Sequence, residues 1–576
     1  MKRLAAIVSL AFAWHAGTFA PSVAAAESAA AAGTPIALPP MMVEESTSSV
    51  PWLYVQAGDT EFLSRCSAGT TRQLVEAWLT GMQLVRVLVP EEFLGRMDVP
   101  SVFVLYGQDG PQTVSAEIQR ELQARDDRRR PGDFGSGARV DIALSMRLTD
   151  RDMHASIAYI DEAQFGEAVL SVAPGHVRYL LEARVPKLPA WLVEGIERAY
   201  RGADVVQEPI TLGPLTWGNR SESAALAADP ARPRALLPAG ELFAIDPVRA
   251  AEYRHPRRVE TRAAQQELFF RWAMVMGGAT REAFWKFSAR AAEAPVTEAM
   301  FEACFGFGFS ELRDRLSDYL PKTVEARPRI RPGRLPPLPD FEVERATPNQ
   351  IARVRGEWER LAIGYVQRRL PEVREPYVAQ ARRTLRRAYD AGDRDPRLLA
   401  TLGLCEIDAG EAENARRYLE PAVAGGVRRP RAYVELARLR FADLQRGAPE
   451  TKRFSFTELA PVITPLRQSL QQAPPLAEAA QLLGEAWARG EVSPNAEESR
   501  ELEMNARRFT AQPKVTYALA LALARHGKAA AAAAVIDASA PYPVDDDTRD
   551  ALTRLRSELA ATLAQPESGR PATTRP

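Results

Sequence analysis

Hydrophobic residues follow two rhythms along this chain. In the first part they come in short runs, at 52–55, 101–106, 141–148 and 154–160, which predict strands. The last two runs predict a hairpin closed by the polar turn Thr149, Asp150, Arg151 and Asp152. An amphipathic pattern over 70–88 predicts a helix between the first two strands. From about 260 onward the apolar residues recur at helical spacing. The run 265–275 stops at Gly277 and Gly278, a second covers 282–294, and a third follows the Phe-rich stretch 299–310. Rings crowded at such a break predict core packing before they predict a substrate cleft.

Residues 326–340, ARPRIRPGRLPPLPD, hold five prolines and few large apolar side chains, so an extended domain boundary is expected there. Beyond it the chain repeats. Pro396 and Pro430 open similar segments 34 residues apart, and Pro475 and Pro513 open two more after 45 and 38. The second helix of a pair is legible after Gly410 and again after Gly527, and 447–456 reads as an insert. The period resembles that of tetratricopeptide repeats, which implies stacked antiparallel helix pairs. The face built by the first helix of each pair, carrying Tyr433, Gln481 and Tyr517, is the candidate groove.

The termini add an address. Lys2 and Arg3, an apolar run and the small residues 22–26 read as a secretory signal ending at Ala26, followed by a leader 27–50. A periplasmic or secreted protein is expected, without an integral membrane segment in the mature chain. The full chain has 74 basic and 74 acidic residues, and loss of Lys2 and Arg3 leaves 72 basic residues, so no nucleic-acid partner is expected. The basic cluster 125–130 runs into Pro131 and Gly132 and reads as a solvated loop. Cys66 and Cys304 are candidates for a disulfide in an oxidising compartment, with Cys405 a buried thiol. The tail 565–576 is polar and expected to be disordered.

One segment carries candidate chemistry. Residues 174–200 read PGHVRYLLEARVPKLPAWLVEGIERAY. The second half, LPAWLVEG, resembles the catalytic core of gluzincin (peptidase MA-like) metalloproteases. Those enzymes carry H-E-x-x-H on one helix and a zinc-binding Glu on the next. The resemblance implies that Pro174 and Arg178 stand in the two His positions, Gly175 in that of the general base, and Glu194 in that of the third ligand. Proline has no ligand atom, glycine cannot act as a base, and a guanidinium cannot coordinate a cation. One carboxylate does not hold catalytic zinc, for which three protein ligands are needed.

The expected fold class is therefore an α+β gluzincin-like domain over 51–325, with a helical subdomain at about 260–320. A proline-rich linker at 326–345 and an all-α tetratricopeptide-like solenoid over 346–564 complete it. The expected role is non-catalytic binding of a protein or peptide, with no cofactor, and with Arg178 and Glu194 paired across the old site. The competing expectation is a hydrolase with a rearranged metal site, in which His176 and Glu194 join His154 or His255. No G-x-S-x-G and no Cys–His arrangement points to another chemistry.

Overall fold

The computed structural model describes residues 50–107, 142–160, 162, 174–201, 203–204, 210–217, 220–230, 232, 234–243, 256–325, 329–330, 336–369, 371–449, 451–542 and 544–564. The signal, leader, Arg125–Arg130 cluster, His255 and tail lie outside the described residues.

Strands β1 (Leu53–Ala57) and β2 (Thr60–Ser64) form a tight antiparallel hairpin turned at Gly58, whose φ of 56° suits glycine. Helix α1 (Ala68–Leu88), capped by the Ser67 hydroxyl, leads to β3 (Ser101–Tyr106), parallel to β2. Strands β4 (Ile142–Thr149) and β5 (His154–Ile160) make the expected antiparallel hairpin, and β5 lies parallel to β3. Strand β2 was not legible in the sequence, because TEFLS lacks the apolar run of a buried strand.

Helices α2 (Pro174–Glu182) and α3 (Ala190–Arg201) follow, then short strands β6 (Ala203–Asp204) and β7 (Ile210–Leu212). The helical part comprises α4 (Arg220–Ala228), α5 (Ala239–Leu242), α6 (Pro256–Met276), α7 (Gly278–Glu293), α8 (Glu298–Phe305), α9 (Phe309–Tyr319) and α10 (Lys322–Glu325). Trp191 on α3 meets Phe243, Phe269, Phe284 and Phe287, and Phe301 is fully buried beside Phe305. The Phe-rich stretch is core.

Alternation along β3 explains the layering. Phe103 and Leu105 point into a core with α1, α2, α3 and α6, whereas Val102, Val104 and Tyr106 point to the other side. That second side is covered by α11 (Pro348–Arg369) through Ala352, Val354 and Trp358. The proline-rich linker, seen at 329–330 and 336–345, is anchored through both of these parts. Its β8 (Arg329–Ile330) pairs with β7, and its β9 (Glu344–Arg345) pairs antiparallel with β1. The main sheet therefore runs β4-β5-β3-β2-β1-β9.

The C-terminal half is a helical repeat array. It continues with α12 (Arg374–Asp390), α13 (Pro396–Ala409), α14 (Ala412–Ala424), α15 (Pro430–Gln445) and α16 (Phe456–Leu470). After these come α17 (Ala477–Ala488), α18 (Ala496–Arg508), α19 (Pro513–Arg525), α20 (Ala529–Ser539) and α21 (Asp546–Ala564). Short turns join neighbours. Asp395 caps α13 ahead of Pro396, Gly410 closes it at φ 85°, and capping boxes open α16 and α18. The expected insert is the connection between α15 and α16. One apolar cluster joins residues on both sides of the proline-rich stretch, from Trp52 in the sheet unit to Leu436 in α15. The boundary expected from composition is thus spanned by shared core.

Candidate functional site

Helices α2 and α3 place the zinc-site positions suggested by the resemblance. Pro174 opens α2, where a missing N–H costs nothing, and Gly175 is buried. Arg178 reaches from α2 to α3. Its Nη1 donates to Glu194 at 3.2 Å and to Glu197 at 2.5 Å, while its Nε donates to Glu182 at 2.8 Å. The expected Arg178–Glu194 pair therefore exists, with both side chains about a third exposed (32% and 31%). Its stronger partner was missed. Glu197 is buried and also accepts from Arg201 at 2.5 Å. The signal was present, because Glu197 is one helical turn beyond Glu194 and so shares its face. Burial opposes the Arg178 charge, but hydrogen bonding and attraction from Glu197 and Glu182 prevail and hold the guanidinium charged beyond its ordinary range.

Gly195, which follows Glu194, marks where α3 crosses α6. A Cβ there would lie 2.7 Å from the Gln266 carbonyl oxygen. The glycine of the W-L-V-E-G run is a packing residue.

Two of the histidines invoked for a rearranged metal site do meet. His154 at the start of β5 and His176 on α2 contact edge to face, with ring centroids 4.8 Å apart and Trp78 against His176 at 4.7 Å. Both are buried. Among the described residues, neither nitrogen of His154, nor Nδ1 of His176, has a hydrogen-bond partner. The Glu194 carboxylate is engaged by Arg178, and no group of three His, Cys, Asp or Glu side chains is placed to hold a metal among the described residues. Cys66 and Cys304 are both free thiols, as is Cys405; the suggested disulfide is not formed.

The candidate groove needs correction. Tyr433 is buried in the shared core. Gln481 donates to Glu485 at 2.8 Å, and Tyr517 packs against the core of the later repeats. The early first helices bind the chain's own sheet unit instead. The β4–β5 turn carries Asp150 and Asp152 into arginines of the array. Asp150 accepts from Arg360 at 2.9 Å and from Arg431 at 2.5 Å, and Asp152 accepts the Arg431 backbone N–H at 2.9 Å. Arg429 and Arg360 also reach Glu357, at 2.8 and 2.9 Å. Burial would raise the Glu357 carboxyl, but these two guanidiniums outweigh it and lower it to about 2. Arg151 pairs with Glu435 and Glu478, and the Ala473 N–H donates to Asp98 at 2.8 Å. Nothing in the charge pattern of the turn distinguished a solvated loop from this plug.

No known protein family matches the chain, and no curated protein matches it. Among solved structures it is similar to a thermophilic TPR protein of Thermus thermophilus, at 21% identity over 36% of this chain and 100% of that one, with a TM-score of 0.22. The helix pairs of the chain itself establish its repeat character.

Proposed function

We propose that the chain is an exported, non-catalytic protein in which a degenerate peptidase MA-like unit is joined to tetratricopeptide-like repeats and acts in protein or peptide binding or as a scaffold. The observation that carries this reading is Arg178. A fixed cation on α2 takes Glu194 and Glu197 of α3 as its partners, in the position that the resemblance gives to a zinc-binding histidine. A guanidinium tied to two carboxylates joins the helices as a metal bridge would, yet it offers no open position for an activated water. Among the described residues β4 is an edge strand of the sheet, a place where an added strand from a polypeptide would not need a metal. No helix among the described residues is long and apolar enough to cross a membrane.

The test is metal analysis and casein hydrolysis on full-length protein purified without an affinity tag or chelator. No stoichiometric zinc and no hydrolysis are expected. One zinc per chain together with hydrolysis, both lost in Glu194→Ala or His176→Ala, would overturn the reading.

A further inference from the structure

With the early first helices committed to the sheet unit, partner binding falls to surfaces elsewhere on the repeats. One such surface has an unusual charge arrangement. Ala488, at the end of α17, accepts through one carbonyl oxygen from Nη1 of both Arg453 and Arg525, at 2.8 and 2.7 Å. Two guanidiniums are thereby held side by side. Arg489 is fixed next to them, donating through Nε to the Lys452 carbonyl at 2.9 Å and through Nη2 to the Pro449 carbonyl at 3.0 Å. His526 donates through Nε2 to the neighbouring Trp487 carbonyl at 2.9 Å.

Among the described residues no aspartate or glutamate pairs with Arg453, Arg489 or Arg525. Lys452 pairs with Glu458 at 3.9 Å and lies over the Phe454 ring, and among the described residues the exposed Glu491 pairs with none of the arginines. The partial negative charge of one helix C-terminus, about half a unit, does not balance three guanidiniums. Like charges in contact repel: burial first, then Arg453 and Arg489, lowers the affinity of Arg525 for its proton. Each guanidinium has five N–H donors and spends only one or two on carbonyls, leaving donors for a carboxylate.

The insert that carries Arg453 is not loose. Phe454 is buried and bridges Gly490 in parallel, its N–H bonding to Arg489 and its carbonyl accepting from Glu491. Beside this cationic corner stand two of the few large apolar side chains left in water, Phe456 (46% exposed) and Val492 (55%). Phe456 lies over Trp487 with ring centroids 6.2 Å apart.

We propose that the surface formed by Arg453, Arg489, Arg525 and Phe456 is a docking site for an acidic peptide segment bearing an apolar side chain. Carboxylates take the free guanidinium donors and lift the mutual repulsion of the arginines, while the apolar residue covers Phe456 and Val492. The site rests on the reading of the repeats as a protein-binding unit and gives the chemical class of the partner.

The test uses full-length protein and a short fluorescent peptide in which aspartates flank a phenylalanine and a leucine, followed by anisotropy. Binding is expected to weaken steeply with added salt, and about tenfold in Arg453→Gln or Arg525→Gln, each of which removes charge-assisted hydrogen bonds. Phe456→Ser changes an exposed side chain, so it should keep the fold and still lose several-fold in affinity. Equal binding of the peptide with asparagine for aspartate would leave the repeats as a protein-binding unit but overturn the acidic site. Displacement by inorganic phosphate with no contribution from Phe456, or no binding by the wild-type chain, would also overturn it. The zinc and casein result is independent of all these outcomes.

Discussion

Arg353 on α11 grips Glu61 on β2 with two parallel hydrogen bonds, both 2.5 Å, and both residues are buried. Tyr54 and Arg397 complete the shell around the carboxylate, at 2.5 and 2.6 Å. Burial alone would raise the Glu61 carboxyl, but the Arg353 hydrogen bonds and charge outweigh it and hold it below its usual range. One carboxylate in the sheet therefore ties together β1, β2, α11 and α13.

Replacing one partner strands the other charge in the core. Arg353→Ala or Glu61→Ala should destabilise the chain by about 3 to 5 kcal/mol, read as a shift in the urea midpoint. Because the apolar cluster also crosses this junction, the sheet unit and the early repeats should unfold in one transition. Limited proteolysis that releases a folded fragment beginning near residue 346 would contradict this coupling.

At the α2–α3 junction the two carboxylates should behave differently. Glu194→Ala should cost about 1 kcal/mol or less, since the pair is solvent-screened and Arg178 keeps Glu197 and Glu182. Glu197→Ala should cost more, because it removes a buried carboxylate shared by Arg178 and Arg201. Thermal melts of the two variants side by side provide the check.

Gly195→Ala should destabilise the chain by about 1 to 3 kcal/mol, because backbone rather than a flexible side chain blocks the added methyl. The loss should appear in the melting temperature. An unchanged melting temperature would mean that α3 and α6 can separate freely.

Acid should weaken the fold before its carboxylates titrate. Burial, with His176 and Arg147 adding repulsion, keeps His154 far below its ordinary range, and burial with Arg147 pushes His176 down to about 3. The groups facing the pair are Arg147, Tyr179 and Trp78, with Asp150 and Asp152 behind Tyr179. In the unfolded chain both imidazoles bind protons near pH 6.5, and in the folded chain they resist. Their contribution is thus complete above about pH 6.5 and falls by about 1.4 kcal/mol per histidine per pH unit below it. Urea midpoints between pH 7.5 and 5 should show this slope, and His176→Leu should flatten it.

The thiols should differ in reactivity. Burial pushes Cys66 up to about 12 and raises Cys405 further, whereas Cys304 is partly exposed. Brief alkylation of the native chain near pH 8, followed by peptide mass mapping, should label Cys304 alone. Denaturation without reductant should then expose Cys66 and Cys405.

The sequence carried the local structure. Strand runs, the hairpin, the proline-led helices and the glycine stops at Gly410 and Gly527 are written in neighbouring residues, because caps, turns and periodicity act over a few positions. The Arg178–Glu194 pair was legible for the same reason, as two adjacent helices leave few ways to arrange their facing residues. Tertiary structure decided what lies against what. No local signal told that Asp150 and Asp152 would meet Arg360, Arg429 and Arg431, or that Tyr433 would be buried rather than open to a partner. His154 and His176 were named together in the sequence, but only packing made them neighbours with bare nitrogens. Helical spacing gives each side chain a face; which surface covers that face depends on elements hundreds of residues away, and desolvation and pairing energies are set only when those surfaces close.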